Sequence, residues 1–134
     1  ADTPPAAPAA TAPADRIGGA DRYATAVAVA QRAFPDGAPI VFIASGLDYP
    51  DALSAAPLAA TLGGPLLLTP RSTLPAAVAA ELQRLEPERV VIVGGPTVVG
   101  EAVEQQVQAM PLLTERVFGA DRYATSRALI ERFA

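Results

Sequence analysis

Three short runs of apolar residues, at nearly even intervals, stand out along the chain. They are residues 40–44, 66–68 and 90–93, and each is bounded by Gly or Pro. Within each run the apolar residues are continuous rather than alternating, which is typical of a strand that is covered on both faces. We therefore predict three buried β-strands.

The segments before and between these runs have the length and spacing of helices. Two of them carry an apolar stripe at the intervals of one helix face: Leu74, Val78, Leu82 and Leu85 in one, and Val99, Val103, Val107 and Met110 in the next. A similar stripe at residues 23, 27, 30 and 34 predicts a helix ahead of the first strand. The alanine-rich segment 51–62 predicts another helix, with a kink or restart at Pro57.

Strands about 25 residues apart with one helix between them form βαβ units. The predicted fold class is therefore α/β, a short parallel sheet flanked by helices on both faces. Ligands of such sheets bind at the carboxyl ends of the strands. Here those ends are followed by residues 45–48, 69–72 and 94–97, and we expect any binding site to lie there.

The chain also contains an internal repeat. Residues 16–25 return as residues 116–125 with eight of ten positions identical, an offset of 100 residues. The second copy ends at residue 134 and holds one expected strand (116–118) and one helix, too little for a core of its own. It must dock on the first unit, pack on another chain, or be what a truncation left.

Composition excludes most catalytic chemistry. The chain has no Cys, His, Lys, Asn or Trp, which removes thiol nucleophiles, imidazole bases, Ser-His-Asp triads, zinc fingers, Schiff bases and the P-loop lysine. We expect no catalytic residue, no metal site and no cofactor.

The charge balance argues against nucleic acid as a partner. All ten cations are arginines, scattered singly among 14 carboxylates, for a net charge of −4, so the basic footprint that phosphate backbones require is missing. No apolar run approaches the roughly 18 residues of a membrane span, and we expect none.

Residues 1–14 differ from the rest, because eleven of the fourteen are Ala or Pro. Proline at this density forbids a helix and predicts an extended, disordered tail or linker. The sequence does not begin with Met, and because no positively charged start followed by an apolar stretch is seen, we expect no signal peptide in it. A mature, processed secreted protein would start in this way, and so would a piece cut from a longer chain.

Four ordered motifs resemble cell wall-binding repeat 2, the modules that hold Gram-positive surface proteins on the envelope without a covalent bond. They lie at residues 16–25, 46–54, 64–69 and 91–96. The resemblance implies a Rossmann-like three-layer module at residues 15–112, after the tail 1–14, and the start of a second repeat at 113–134. It implies a secreted, cell-surface protein that binds an anionic secondary cell-wall polysaccharide or a teichoic-acid-like polymer.

The resemblance also concerns anchoring and assembly. The family's Pro-Ile-Leu-Leu stretch, associated with anchoring, is here Pro65, Leu66, Leu67 and Leu68, which on physical grounds we predict to be a buried strand. Family members usually carry three modules around a pseudo-threefold axis. We therefore hypothesise that single modules of this chain assemble into a homotrimer.

The residues expected at the polymer are Arg22, Tyr23, Thr25, Asp48, Asp51, Arg71 and Arg122. Arginine suits bidentate contacts to phosphate or carboxylate, and Arg71 follows a strand among hydroxyl residues. The alternative for the repeated motif is helix entry, with Asp21 and Asp121 as caps and Tyr23 and Tyr123 beginning a buried stripe. Arg71 is alternatively a solvated loop residue.

Two further patterns admit structural explanations. Asp48 and Asp51 are a candidate acid pair for glycoside chemistry, but helix capping explains them better; hydrogen bonding to sugar hydroxyls fits either role. Gly94 and Gly95 open a loop faintly like a dinucleotide-binding turn, although the spacing is wrong and Pro96 removes an N–H group. A turn with Pro96 near the first helical position is the simpler interpretation, with free N–H groups there for an anion.

The function predicted is a non-catalytic module that anchors an exported protein to an anionic wall polymer. The alternatives are an accessory module of a peptidoglycan hydrolase such as an amidase, and a Rossmann-like nucleotide- or sugar-binding domain.

Overall fold

The computed structural model describes residues 21–47 and 49–133, without the side chains of residues 21, 49–54 and 122. Helices and strands alternate along this part of the chain. The helices are α1 (Asp21–Ala33), α2 (Tyr49–Leu62), α3 (Ala76–Leu85), α4 (Glu101–Gln108) and α5 (Arg122–Phe133). The strands are β1 (Ile40–Ser45), β2 (Leu66–Thr69), β3 (Arg89–Val93) and β4 (Thr114–Val117). The α/β fold class is thereby confirmed.

The four strands form one parallel sheet in the order β2-β1-β3-β4. The three predicted strands are its central pair, β1 and β3, and one edge, β2. The other edge, β4, begins two residues earlier than expected from the sequence. Its residues are mostly polar, and only Val117 is buried, so hydrophobicity alone marks it poorly.

Two cores lie on the two faces of the sheet, because side chains alternate along each strand. Val41 and Ile43 of β1 point to the face covered by α1, α3 and α4, where the two predicted apolar helix stripes are buried, save for a partly exposed Met110. Phe42 and Ala44 point to the face covered by α2 and α5. The result is three layers, helix on sheet on helix, which explains why the strands read as continuous apolar runs.

Helix α2 continues through Pro57 without the restart expected from the sequence. Pro57 lies on the exposed side of the helix. There, water can bond the carbonyl group that the ring leaves without an N–H partner, so the interruption is tolerated.

Helix α3 carries an ion pair in which the carboxylate is buried and the guanidinium is partly exposed. Glu81 is 2% exposed and accepts two hydrogen bonds from Arg84, at 2.8 and 2.7 Å. Arg84 also donates to the carbonyl oxygens of Phe34 and Pro35, just beyond the end of α1. The hydrogen bonds that Arg84 donates to Glu81 raise the pKa of Arg84 above its ordinary value. Arg84 thus connects Glu81 of α3 to the end of α1.

The second copy of the repeat completes the layers. β4 pairs with β3, and α5 lies across the lower face, which we define as the sheet face that α2 also covers. Phe133 of α5 meets Phe42 of β1 edge to face, with ring centroids 5.7 Å apart, and Leu129 is 1% exposed. Residues 114–133 therefore share the core of the first unit.

Candidate functional site

The carboxyl ends of the four strands meet at one edge of the sheet. Ser45 lies beside Thr69, and Val93 lies beside Ala44 and Val117. The loops that follow are residues 46–47, 70–73, 94–100 and 118–120, and we call them the carboxyl edge. The three loops selected from the sequence are thus neighbours, apart from Asp48, which lies outside the described residues.

The loop after β1 is held by the first turn of α1. Arg22 Nη1 donates a hydrogen bond to the carbonyl oxygen of Gly46. The Tyr23 ring lies against the same residue, since a Cβ atom at Gly46 would stand 2.5 Å from Tyr23 Cε1. Ser45 Oγ accepts a hydrogen bond from Leu47 N at 3.0 Å. Arg22 and Tyr23 therefore shape this loop, and a larger residue at position 46 would displace the Tyr23 ring.

The loop after β2 presents a cation to solvent. The buried Thr69 hydroxyl donates to the carbonyl oxygens of Pro70 and Thr73, at 2.9 and 3.4 Å. Gly100 N donates to the Arg71 carbonyl oxygen at 2.8 Å. These bonds fix the backbone and leave the Arg71 side chain exposed beside Ser72 and Thr73. Within the described part of the chain, the Arg71 guanidinium makes no hydrogen bond or ion pair.

The glycine loop after β3 does not offer the helix start that the sequence predicts. Val98 N and Val99 N both donate to the Gly95 carbonyl oxygen, at 3.1 and 3.0 Å. Helix α4 begins only at Glu101, so the interpretation of Pro96 as the first helical position is wrong. Two of the N–H groups expected there for an anion, those of Val98 and Val99, are therefore engaged in a turn. Carboxylates in the first turn of α4 further disfavour an anion.

Arg116 is a residue that sequence reasoning missed. Its Nη1 donates to the carbonyl oxygens of Gly94 and Val99, both at 2.8 Å. Its Nε and Nη2 donate to Glu104 Oε1 at 3.0 and 2.9 Å. One side chain thus ties β4, the glycine loop and α4 together. The signal for it was present, because arginine opens both copies of the repeat.

The second copy of the motif enters its helix through a cap. Asp121 Oδ1 accepts a hydrogen bond from Ala124 N at 2.8 Å, and Thr125 Oγ1 accepts one from Gly119 N at 2.9 Å. Tyr123, however, is 64% exposed, so the expectation that it begins a buried stripe is wrong. The reason is that α5 packs through another side of the helix, the side of Thr125 and Leu129.

The remaining candidates are distributed as follows. Thr25 is exposed and lies about 200° around α1 from Tyr23, so the two do not share a surface. The side chains of Asp21, Asp51 and Arg122 are outside the described ones. Pro65 and Leu67 are buried and Leu66 and Leu68 are partly buried, in the edge strand β2 and the residue before it.

Neither a metal centre nor a membrane span is visible in residues 21–47 and 49–133. No group of three or more carboxylates there could hold a metal ion. None of the helices in this part combines the length and the apolarity needed to cross a bilayer.

Comparison with known proteins matches residues 16–104 to the family model of Cell wall binding domain 2 (CWB2). The N-acetylmuramoyl-L-alanine amidase LytC of Bacillus subtilis (strain 168) is 35% identical over 111 residues, which are 83% of this chain and 22% of that protein. Cwp6 from Clostridium difficile superposes with a TM-score of 0.80 at 32% identity, covering 87% of this chain and 18% of that one. Cwp8 from the same species superposes with a TM-score of 0.76 at 33% identity, covering 85% of this chain and 20% of that one. The chain thus spans about a fifth of the length of these relatives.

Proposed function

Because this chain belongs to the cell wall binding domain 2 family, we propose that it is a non-catalytic module that attaches an exported protein to the cell wall. The ligand we propose is an anionic polysaccharide or a teichoic-acid-like polymer. An amidase stands among the relatives, but the chain has no His or Cys with which to build common hydrolytic sites. In a longer hydrolase it would serve as the accessory, wall-binding part.

The observation that carries the proposal is the environment of Arg71. Among the described side chains, three arginines lie around the carboxyl edge, and two of them, Arg22 and Arg116, donate to backbone carbonyl groups there. The Arg71 guanidinium is exposed on a loop whose backbone is already fixed by Thr69 and Gly100. A phosphate or carboxylate that binds it would therefore pay little conformational entropy for ordering the loop.

A net charge of −4 does not oppose this binding. Salt screens charges beyond about 8–10 Å, so a polymer anion in contact with Arg71 is governed by the nearest groups. The exposed hydroxyl groups of Ser72 and Thr73 would add hydrogen bonds to sugar or phosphate oxygens. Each module would bind weakly, and several modules on one polymer would supply the anchoring strength.

The test is retention of the chain on purified cell walls. Arg71→Ala is expected to weaken retention about tenfold, the loss of one charge-assisted hydrogen bond. Arg32→Ala is the matched control, because Arg32 is an exposed arginine near the opposite end of α1. Retention should also fall with salt.

Two results would contradict the proposal at different levels. Equal retention of the two variants removes Arg71 from the site but leaves wall binding intact. Equal capture by walls from which the accessory polymer has been stripped removes the polymer as the ligand.

A homotrimer of single modules belongs to the same proposal. Three copies would bring three carboxyl edges together, which is the multivalent arrangement that weak sites need.

A further inference from the structure

Phe118 differs from the other phenylalanines of the chain in its exposure to solvent. The structure describes all four, and three are buried or half-buried: Phe34, Phe42 and Phe133. Phe118 is 49% exposed, although it directly follows the buried residue Val117 at the end of β4. A single exposed apolar residue is common on protein surfaces, so the surroundings of this ring decide what it can do.

The ring lies beside the glycine loop that follows β3. A Cβ atom at Gly95 would stand 3.1 Å from Phe118 Cδ2 and 3.4 Å from Phe118 Cε2, so that edge of the ring is close to the loop backbone. The backbone of Phe118 is fixed as well, because it directly follows the paired strand β4. An aromatic side chain has only two torsion angles to order. The fold therefore holds the exposed ring in place before any ligand arrives.

Phe118 and Arg71 border the same loop. At the end of the loop away from Phe118, Gly100 N donates a hydrogen bond to the Arg71 carbonyl oxygen at 2.8 Å. The loop between these two contacts is compact, because two of its N–H groups donate back to the Gly95 carbonyl oxygen. An exposed aromatic ring and an exposed arginine thus flank one short loop of the carboxyl edge.

The internal repeat indicates that the ring is not required by the motif itself. Phe118 stands at the position of Gly18 in the first copy, within a motif in which eight of ten positions are identical. The same motif thus accepts a residue without a side chain at this position. Helix entry, which the motif serves in both copies, does not account for an aromatic residue there.

A sugar ring is the ligand that suits these neighbours. The C–H groups on one face of a pyranose carry a slight positive charge, and they are attracted to the negative face of an aromatic ring. Ser72, Thr73 and Thr97 are exposed on the adjoining loops and could bond the sugar hydroxyl groups. Such polar surroundings fit a hydroxyl-rich ligand better than the apolar centre of a protein interface.

We propose that Phe118 is a stacking platform for a sugar ring of the wall polymer, beside the anionic group that binds Arg71. The proposal rests on the proposed function and adds to it a contact that does not depend on charge. It also distinguishes modules from one another, because a module followed by a repeat with glycine at this position, as in the first copy, would lack the platform.

Retention on purified cell walls separates the ring from the charge. Phe118→Ala should weaken retention about fivefold, and by the same factor at low and high salt, because stacking is not screened. Phe118→Tyr should keep the binding, whereas Phe118→Leu should lose it, since leucine has apolar area but no aromatic face. Leu113→Ala is the matched control, because Leu113 is 69% exposed and directly precedes β4, at the opposite end of the same strand.

A second measurement uses the absence of Trp from the chain. Phe118→Trp introduces a single indole and keeps an aromatic platform. Its fluorescence emission should move to shorter wavelength when solubilised wall polymer is added, because stacking removes water from the ring. Leu113→Trp places the indole at the other end of β4 and should show no shift.

The outcomes separate the platform from the function on which it rests. Equal retention of Phe118→Ala and Leu113→Ala overturns the platform and leaves wall binding intact, and so does a loss with Phe118→Tyr as large as that with Phe118→Ala. A loss that vanishes at high salt also contradicts stacking. If the unmodified chain is not retained and neither indole responds to the polymer, the platform and the proposed function both fail.

Discussion

Removal of the Arg116 side chain should be the most damaging change at the carboxyl edge. The Arg116 side chain is 11% exposed and that of its partner Glu104 25% exposed. Arg116→Ala leaves the carbonyl oxygens of Gly94 and Val99 without their donor and Glu104 without its cation. Each of these groups is partly removed from water by folding, so each would lose its partner without fully regaining hydration.

The magnitude follows from these contacts. A hydrogen bond to a charged group contributes about 1.5–3 kcal/mol, and losing one partner of a buried ion pair costs about 3–5 kcal/mol. Since Glu104 is partly exposed, water recovers part of this loss, and we expect Arg116→Ala to cost about 3 kcal/mol. With a typical dependence on denaturant, that lowers the urea midpoint by roughly 2 M.

Arg132→Ala is the control for removing an ion-paired arginine. Arg132 donates to Glu115 at 2.8 and 3.1 Å, but its side chain is 47% exposed. In the variant Glu115 keeps a second ion-pair partner, because Arg89 Nη1 lies 3.7 Å from Glu115 Oε1. Exposed ion pairs contribute about 0–1 kcal/mol, so Arg132→Ala should lower the free energy of unfolding only slightly.

The assay is urea unfolding followed by circular dichroism for both variants and for Arg116→Lys. The lysine variant keeps the charge, but a single ammonium group cannot serve three acceptors in fixed directions, so an intermediate loss is expected. If Arg116→Ala unfolds at the same urea concentration as Arg132→Ala, the burial-based reasoning is refuted.

Two further predictions concern the strand β2 and assembly. Gly64→Ala should cost about 2–4 kcal/mol of unfolding free energy, because its Cβ would overlap the Ile40 carbonyl oxygen of β1. Gly63→Ala is the control, since a Cβ there would have nothing within 4 Å. With φ at +80° it should cost only about 1 kcal/mol of backbone strain. Equal losses in urea unfolding would show that the close approach is unimportant. Light scattering should detect a trimer of the single chain at high concentration, and a strict monomer throughout removes the homotrimer.

The sequence predicted best the strands that are covered on both faces of the sheet, because such strands consist of continuous apolar residues. β1 and β3 are central strands, and their continuous apolar runs predicted them almost to the residue. β4 was located poorly, because as an edge strand it carries Thr114, Glu115 and Arg116 on partly exposed positions. The family was also predicted correctly from four motifs. The domain boundaries and the polymer contacts stay predictions.

The side of a helix that packs was harder to predict. Tyr123 was expected to be buried because Tyr23 begins an apolar stripe, and residues 121–125 are identical to residues 21–25. Both helices have small and apolar residues on more than one side, interspersed with arginines, so periodicity alone does not decide which side faces a sheet. Which side is buried depends on which sheet lies nearby, and that is a property of the tertiary structure.

The role of each arginine, like the packed side of each helix, depends on the tertiary structure. Arg22, Arg71 and Arg116 are one residue type at one edge of one sheet; the sequence predicted Arg22 and Arg71 as contacts for an anion and passed over Arg116. A guanidinium has five donors in a fixed fork, which suits backbone carbonyl groups as well as it suits a phosphate. In Arg116 this fork is used within the fold, and the first turn of α1 commits Arg22 to Gly46. Binding capacity at this edge therefore depends on which guanidinium the fold has left without an acceptor, and among the described side chains there Arg71 meets that condition.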